Sequence, residues 1–215
     1  MSRRTFILLV ASAAVLAAGI AAAMIALKMR TITASAPADV PGQIRVGSDV
    51  AIGGPFALTD QDGHRVTDKD FAGRFMLIYF GYTFCPDVCP TELNTMALAL
   101  DKLGTRVRIV PVFITVDPAR DTPEALKTYL AAFGSDFVGL TGSDADVAAV
   151  AKAYRVYYKK ADGESDDAYL MDHTSLLYLI GPDGRLAALF RTGASPDDIA
   201  AGIKAAFARS DSTAN

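Results

Sequence analysis

The sequence has only two cysteines and two histidines among its 215 residues. So few cysteines exclude a small fold stapled by several disulfides, and the chain must depend on an apolar core. The formal net charge is −3 and no basic run occurs, so charge gives no support to nucleic-acid binding. Side chains that bind soft metals or exchange disulfides are therefore confined to a few positions.

One long uncharged segment stands near the N-terminus. Residues 6–27 carry no charge over 22 positions, and as a helix they would extend roughly 33 Å, enough to cross a bilayer core. A signal-peptide apolar region spans about 7–15 residues, so this length favours a retained anchor. The small residues at 34–36 resemble a cleavage site, which leaves removal open as the alternative.

The globular segment behind this anchor indicates its orientation. Positive charges on the two sides of the anchor nearly cancel, but an anchor placed first usually exports the segment behind it. No Arg-rich presequence precedes it, which favours a bacterial inner membrane over an organelle. We therefore expect a single-pass membrane protein with its folded domain in the periplasm. The expected division is an anchor at 1–30, a flexible tether at 31–49, a domain at 50–209 and a tail at 210–215.

Strand and helix patterns alternate through the domain. A turn at Asp62-Gly63 predicts an N-terminal β-hairpin. Apolar segments predict strands at residues 75–80, 112–116, 137–140, 176–180 and 186–190. Helices are predicted by apolar stripes at residues 93–100, 126–133 and 147–154, and a last one by a cap at 195–198. This order predicts an α/β domain with a mostly parallel sheet, and a thioredoxin-like fold fits it.

Two local signals refine this prediction. Pro111 lacks an N–H for the ladder, so the second buried strand is expected to begin there or to contain a bulge. The sequence Gly-Pro-Asp-Gly at 181–184 predicts a tight turn that joins the last two strands into an antiparallel hairpin.

The two cysteines lie between a predicted strand and the next helix. Pro90 suits the first helical position, which makes Cys89 the expected N-cap. Unpaired backbone N–H groups and the helix dipole would then favour its thiolate, the form that binds metal or attacks a disulfide. Cys85 precedes it in the turn, and three residues separate the pair where thioredoxin-type motifs have two. The wider loop permits a disulfide and also leaves room for an ion between the sulfurs.

A third ligand must be one of the two histidines. His64 lies in the predicted hairpin turn and is interpreted as an exposed surface residue. His173 directly precedes the buried strand at 176–180, where it can face the dithiol. Two thiolates and one imidazole form a soft, low-coordinate site that favours Cu(I), whereas structural zinc normally needs four protein ligands. Nearby Asp87 and Asp172 could support the site from outside, or simply form turns.

Charged residues also follow the second buried strand. Asp117, Arg120 and Asp121 lie where sites often form in α/β proteins. We interpret them mainly as a loop-stabilising charge pair and the start of a helix, rather than as residues that take part in chemistry.

From Gly54 to Phe190 the sequence resembles the Sco/SenC family of copper-binding proteins, which assist cytochrome c oxidase assembly. The matching stretches are GGPFALTDQDG, LIYFGYTFCPDVCPTEL, VFITVDPARDTPE, VGLTG and YLMDHTSLLYLIGPDG. The resemblance implies that Cys85, Cys89 and His173 bind copper, as Cu(I), Cu(II) or both. The family's single N-terminal anchor also matches the uncharged segment.

Two functions are implied by this resemblance. The first is a metallochaperone, not an enzyme, that delivers copper to the binuclear site of cytochrome c oxidase subunit II. It would need a periplasmic thiol reductant, and another copper carrier could supply it. The second is a thiol–disulfide oxidoreductase that keeps the oxidase cysteines reduced through a Cys85–Cys89 disulfide. A peroxidase is disfavoured, because such enzymes need one tuned cysteine rather than a spaced pair facing a histidine.

Overall fold

The structure is a computed structural model that describes residues 19–25, 40–47, 50–104, 109–134, 136–161 and 169–213. The chain divides into two units, Met1–Asp39 and Val40–Asn215. In the first unit, residues 19–25 are helical and exposed. The rest of the predicted anchor, and most of the predicted tether, lie outside the described residues. Across the part of the chain described, no helix is both long and apolar enough to cross a membrane.

Ten strands and four α-helices make up the described part of the second unit. The strands are β1 (Gln43–Ile44), β2 (Ala57–Asp60), β3 (Arg65–Thr67), β4 (Phe75–Gly81), β5 (Ile109–Thr115), β6 (Val138–Thr141), β7 (Tyr158–Lys160), β8 (Met171–His173), β9 (Leu176–Ile180) and β10 (Leu186–Arg191). The helices are α1 (Val88–Asp101), α2 (Pro123–Leu130), α3 (Asp144–Ala153) and α4 (Pro196–Thr213), with a 3-10 turn at Asp68–Phe71.

Eight strands form one sheet in the order β1-β10-β9-β4-β5-β6-β2-β3, and β7 pairs with β8 separately. Strands β4, β5 and β6 are parallel, while β9 runs antiparallel to β4. Helices α1, α2 and α4 cover the face that carries Tyr79, and α3 covers the face that carries Phe80. The predicted α/β thioredoxin-like architecture and its N-terminal hairpin, β2–β3, are confirmed.

Burial explains why the apolar segments became strands. All seven residues of β4 are buried, as expected for a central strand covered on both faces. The predicted caps are also present: Thr122 accepts from the Ala125 N–H at 3.3 Å, and Ser195 accepts from the Asp198 N–H at 3.1 Å. These side-chain contacts satisfy N–H groups that the first turn of a helix leaves without a partner.

Three expectations need correction. Pro111 lies inside β5, opposite Leu77, and the strand neither begins there nor breaks there. The β6 ladder starts only at Val112, so on that side a missing N–H at Pro111 removes no hydrogen bond. The predicted tether contains β1, which pairs with β10, and the predicted tail is helical to Thr213.

Helix α4 packs closely on β10, which gives a test of this packing. A β-carbon on Gly202 would lie 2.5 Å from Cε1 and 2.7 Å from Cζ of the buried Phe190 ring. Alanine would gain about 1 kcal/mol in helix propensity, but overpacking costs about 1–3 kcal/mol. We expect Gly202→Ala to lower the free energy of unfolding by about 1 kcal/mol in urea titrations.

The exposed neighbour Ala201 provides the control for this substitution. Ala201→Ser lies on the same helix away from Phe190 and should change stability by less than about 0.5 kcal/mol. If Gly202→Ala proves more stable than the parent, the close approach between α4 and β10 is wrong.

Candidate metal centre

The candidate site lies at the edge of the sheet where the parallel strands end. β4 ends at Gly81 and leads into the loop that contains Cys85. Since β9 is antiparallel to β4 and Leu177 pairs with Tyr79, the residues just before β9 lie beside the end of β4. The fold therefore brings His173 to the dithiol from the opposite end of the sequence.

The start of α1 differs from the prediction. The helix begins at Val88 with Asp87 at the N-cap, so Cys89 lies within the first turn. Asp87 makes no side-chain cap hydrogen bond; instead the sulfur of Cys85 accepts the backbone N–H of Cys89 at 3.4 Å. The helix terminus therefore stabilises negative charge on Cys85, and the expectation that it does so on Cys89 is wrong.

His173 is half-buried and contacts the buried cysteine directly. Its Nε2 lies 3.5 Å from Sγ of Cys89, and its Nδ1 lies 3.2 Å from the carbonyl oxygen of Thr174. A carbonyl only accepts, so in the neutral ring Nδ1 carries the proton and Nε2 presents a lone pair to the sulfur. That tautomer is the one that binds metal through Nε2.

The separation of sulfur and nitrogen fits two ligands of one ion. Metal bonds of about 2.3 Å to sulfur and about 2.0 Å to nitrogen, at an angle of about 110°, separate the two donors by about 3.5 Å. Cys85 is the third candidate ligand, because its sulfur lies beside Cys89 and accepts the backbone N–H of that residue at 3.4 Å. Among the described residues, no group of three or more His, Cys, Asp or Glu side chains is arranged to hold a metal ion as it stands. Binding would thus replace the present hydrogen bonds with bonds to the ion.

The two thiols differ in acidity because they share one proton. The hydrogen bond from the Cys89 thiol lowers the pKa of Cys85 to about 3, against the opposing effect of burial. The pKa of Cys89 is raised, first by that same hydrogen bond and then by burial. Cys85 is half-buried and Cys89 is fully buried. The structure therefore presents one reachable thiolate and one protected thiol.

Two tyrosines that the sequence analysis assigned no role touch the site. The hydroxyl of Tyr79 lies 3.8 Å from Sγ of Cys89, and the ring centroid of Tyr82 lies 5.9 Å from that of His173. Tyr79 stands inside a continuous apolar run, a pattern that indicates core packing. The signal that could have found them is their position, at the end of a buried strand that leads directly into the dithiol.

A buried carboxylate holds the beginning of the dithiol loop. Asp121 accepts hydrogen bonds from the backbone N–H of Thr83 at 3.1 Å and from the hydroxyls of Thr83 and Thr115 at 2.5 and 2.6 Å. Burial raises the pKa of Asp121. Beside it, Arg120 Nε contacts Asp117 Oδ2 at 2.5 Å. The interpretation of these residues as a loop-stabilising network is confirmed.

The other candidate residues have exposed side chains. Asp87 and Asp172 are exposed, and Asp87 reaches Cys85 through its backbone N–H. His64 lies in the β2–β3 turn, with its side chain 77% exposed and Nδ1 3.5 Å from Oδ2 of Asp60. Its interpretation as a surface residue is confirmed.

The hairpin that carries His173 was not predicted. Tyr158 pairs with His173, and Lys160 pairs with Met171, so β7 and β8 hold the histidine from outside the main sheet. Each strand has three residues, which is too short for a period-2 pattern to stand out.

The fold and this site together define an α/β thioredoxin-like domain with a dithiol and a histidine at the edge of its sheet. The family model described as SCO1/SenC matches residues 46–208. The chain therefore belongs to the SCO1/SenC family.

Individual relatives agree with this assignment. Protein SCO1 homolog, mitochondrial, from Homo sapiens is 47% identical over 155 residues. The match covers 71% of this chain and 52% of the human protein, so the chain spans about half the length of that curated relative. The crystal structure of Arabidopsis thaliana ScoI with copper bound is 42% identical, with a TM-score of 0.71, and the match covers 74% of this chain and 99% of that one.

A more distant solved structure concerns redox chemistry. BsSco, described as a member of the Sco family of cytochrome c oxidase assembly proteins, was studied for a disulfide switch. It is 26% identical to this chain, with a TM-score of 0.60, and the match covers 76% of this chain and 98% of BsSco.

The difference between the two thiols predicts an unusual pH profile. Because the pKa of Cys85 is about 3, its alkylation rate should be nearly constant between about pH 5 and about pH 8. A cysteine with an ordinary pKa of about 8.5 would react about tenfold faster for each pH unit over that range. Iodoacetamide labelling followed by peptide mass spectrometry measures both sulfurs separately.

A matched variant tests the cause of this behaviour. Cys89→Ala removes the first cause of the lowered pKa, so alkylation of Cys85 should regain a rise with pH. A tenfold rise per pH unit in the parent protein would show that Cys85 is an ordinary thiol.

Proposed function

We propose that this chain is a copper carrier that binds copper as cargo through Cys85, Cys89 and His173. The observation that carries the proposal is the 3.5 Å contact between Nε2 of His173 and Sγ of Cys89, beside the sulfur of Cys85, which accepts the backbone N–H of Cys89 at 3.4 Å. Cys89 and His173 lie 84 positions apart in the chain, and the fold brings them together at one sheet edge.

The donor set supports copper over other metals. Thiolate sulfur and imidazole nitrogen are soft or borderline ligands, and three of them suit Cu(I). Structural zinc would normally require a fourth protein ligand. Metal uptake replaces the proton shared by the thiols, so binding releases protons and strengthens as pH rises. A relative of known structure, 42% identical to this chain, was solved with copper bound.

The destination of the copper is proposed from the family. We infer that the carrier helps to mature the binuclear copper site of cytochrome c oxidase subunit II. Loading requires reduced cysteines, so a periplasmic thiol reductant is a partner, and another carrier can supply the metal. An N-terminal anchor at residues 1–30 would hold the domain at the periplasmic face of a bacterial inner membrane.

A second function is favoured by the exposed thiolate of Cys85. A reachable thiolate beside a protected thiol is the arrangement that attacks a disulfide and then resolves the mixed disulfide. In this alternative the protein reduces the cysteines of the oxidase copper site and forms a Cys85–Cys89 disulfide itself. Such exchange needs the two sulfurs, whereas a three-ligand copper site also needs the imidazole.

His173→Ala separates these two functions. Loss of one of three ligands should weaken Cu(I) binding by more than about 100-fold, since losing even outer-shell partners of a metal costs about 10–100-fold. The two sulfurs remain, so exchange with glutathione should persist. Competition against a chromophoric Cu(I) chelator measures the affinity, and alkylation with mass spectrometry measures the exchange.

His64→Ala is the matched control, because it removes the chain's other histidine from an exposed turn. Its copper affinity should equal that of the parent. If His173→Ala binds copper as tightly as His64→Ala, the three-ligand site is wrong and the oxidoreductase becomes the better proposal.

A further inference from the structure

Two tyrosine hydroxyls lie between the dithiol and the segment that carries His173. The Tyr79 hydroxyl is 3.8 Å from Sγ of Cys89 and 2.7 Å from Oγ of Ser175. The Tyr79 side chain is fully buried, so its hydroxyl must find its partners within the protein.

Tyr82 lies near the other sulfur. Burial raises the pKa of Tyr82, and the nearby sulfur of Cys85 adds to this effect. The residue is 3% exposed, so this hydroxyl too is largely shielded from water.

Both rings also flank the imidazole. The ring centroids of Tyr79 and His173 are 6.2 Å apart at an interplanar angle of 78°, and those of Tyr82 and His173 are 5.9 Å apart at 89°. Edge-on contacts of this kind restrict how the imidazole can turn.

Both tyrosines contact the short segment centred on His173. Tyr79 links the Cys89 sulfur to Ser175, two residues after His173, while the Tyr82 ring lies against the imidazole itself. Packing alone would need only the aromatic rings, which phenylalanine also supplies. The Tyr79 hydroxyl adds a specific hydrogen bond to the Cys89 sulfur.

We propose that Tyr79 and Tyr82 are positioning residues that hold His173 opposite the dithiol and donate hydrogen bonds to its two sulfurs. This inference rests on the copper site proposed above and deepens it. A donated hydrogen bond withdraws electron density from a sulfur ligand. It also stabilises the reduced dithiol, because a disulfide sulfur is a weaker acceptor than a thiol or thiolate.

The test uses Tyr79→Phe and Tyr82→Phe, which keep each ring and remove each hydroxyl. The metal-free protein is equilibrated with glutathione, where two thiols and oxidised glutathione give one disulfide and two reduced glutathione molecules. We expect Tyr79→Phe to shift this equilibrium about fivefold toward the disulfide, the effect of one lost hydrogen bond, and Tyr82→Phe to shift it in the same direction by about twofold or more. Alkylation and mass spectrometry measure the two forms.

A second readout reports on the sulfur electrons directly. With Cu(II) added, each Phe variant should move the sulfur-to-copper charge-transfer absorption to longer wavelength, because the sulfur becomes more electron-rich. Ser175→Ala removes the second partner of Tyr79 and keeps every phenol, so it should shift both readouts in the same direction by a smaller amount.

Tyr178→Phe is the matched control, since Tyr178 is buried on the opposite face of the sheet, against Phe80 and Tyr154. It should leave both readouts unchanged. If Tyr79→Phe and Tyr82→Phe fold and behave like Tyr178→Phe, the inference is overturned. A parent protein that binds no copper would contradict the proposed function instead, and the glutathione equilibrium alone would then decide the role of the tyrosines.

Discussion

The pairing of β9 with β4 is the constraint on which the site depends. Leu177 lies opposite Tyr79, and this register fixes where the chain before β9 meets the end of β4. A shift by one residue would move that chain by about 3.4 Å and turn every β9 side chain to the other face of the sheet. Four of the five β9 residues are buried, so the core resists such a shift. The 3.5 Å contact between His173 and Cys89 thus depends on the hydrophobic packing that fixes this register.

The elements that sequence reasoning found are those with strong local signals. Apolar runs located β4, β5, β9 and β10, and side-chain caps located the starts of α2 and α4. Burial and capping each require particular residue types at adjacent positions, so both can be recognised in the sequence. The strands β1, β7 and β8 have only two or three residues each, too few for an alternating pattern to stand out, and β1 also depends on a partner, β10, that is distant in sequence. Likewise, the candidate ligands Cys85, Cys89 and His173 could be proposed from the sequence, whereas the start of α1 could not be located from it. That start depends on the Cys85 sulfur accepting an N–H, a contact visible only in three dimensions.

Cys85 and Cys89 differ in exposure and in pKa, and this difference bears on both proposed functions. A carrier must take up its cargo from one protein and release it to another, so one ligand has to be reachable from solvent. Cys85 meets that requirement, because it is half-buried whereas Cys89 is fully buried. The same asymmetry suits disulfide exchange, in which an exposed thiolate attacks first. Because a disulfide cannot bind the metal as two thiolates, the redox state of this pair would also govern copper loading.

The turn between β10 and α4 contacts both the helix that carries Cys89 and the segment that carries His173. The carboxylate of Glu92, three residues after Cys89 on α1, accepts the backbone N–H of Gly193 at 2.9 Å. The hydroxyl of the adjacent Thr192 donates to the carbonyl of Ser175, two residues after His173. One turn thus fixes both the helix that carries the buried sulfur and the segment that carries the imidazole. Burial raises the pKa of Glu92, and the hydrogen bond from the Gly193 N–H offsets part of this effect. Such a link constrains the sulfur–imidazole distance without contacting either ligand, because rigid supports fix a site more closely than mobile loops do.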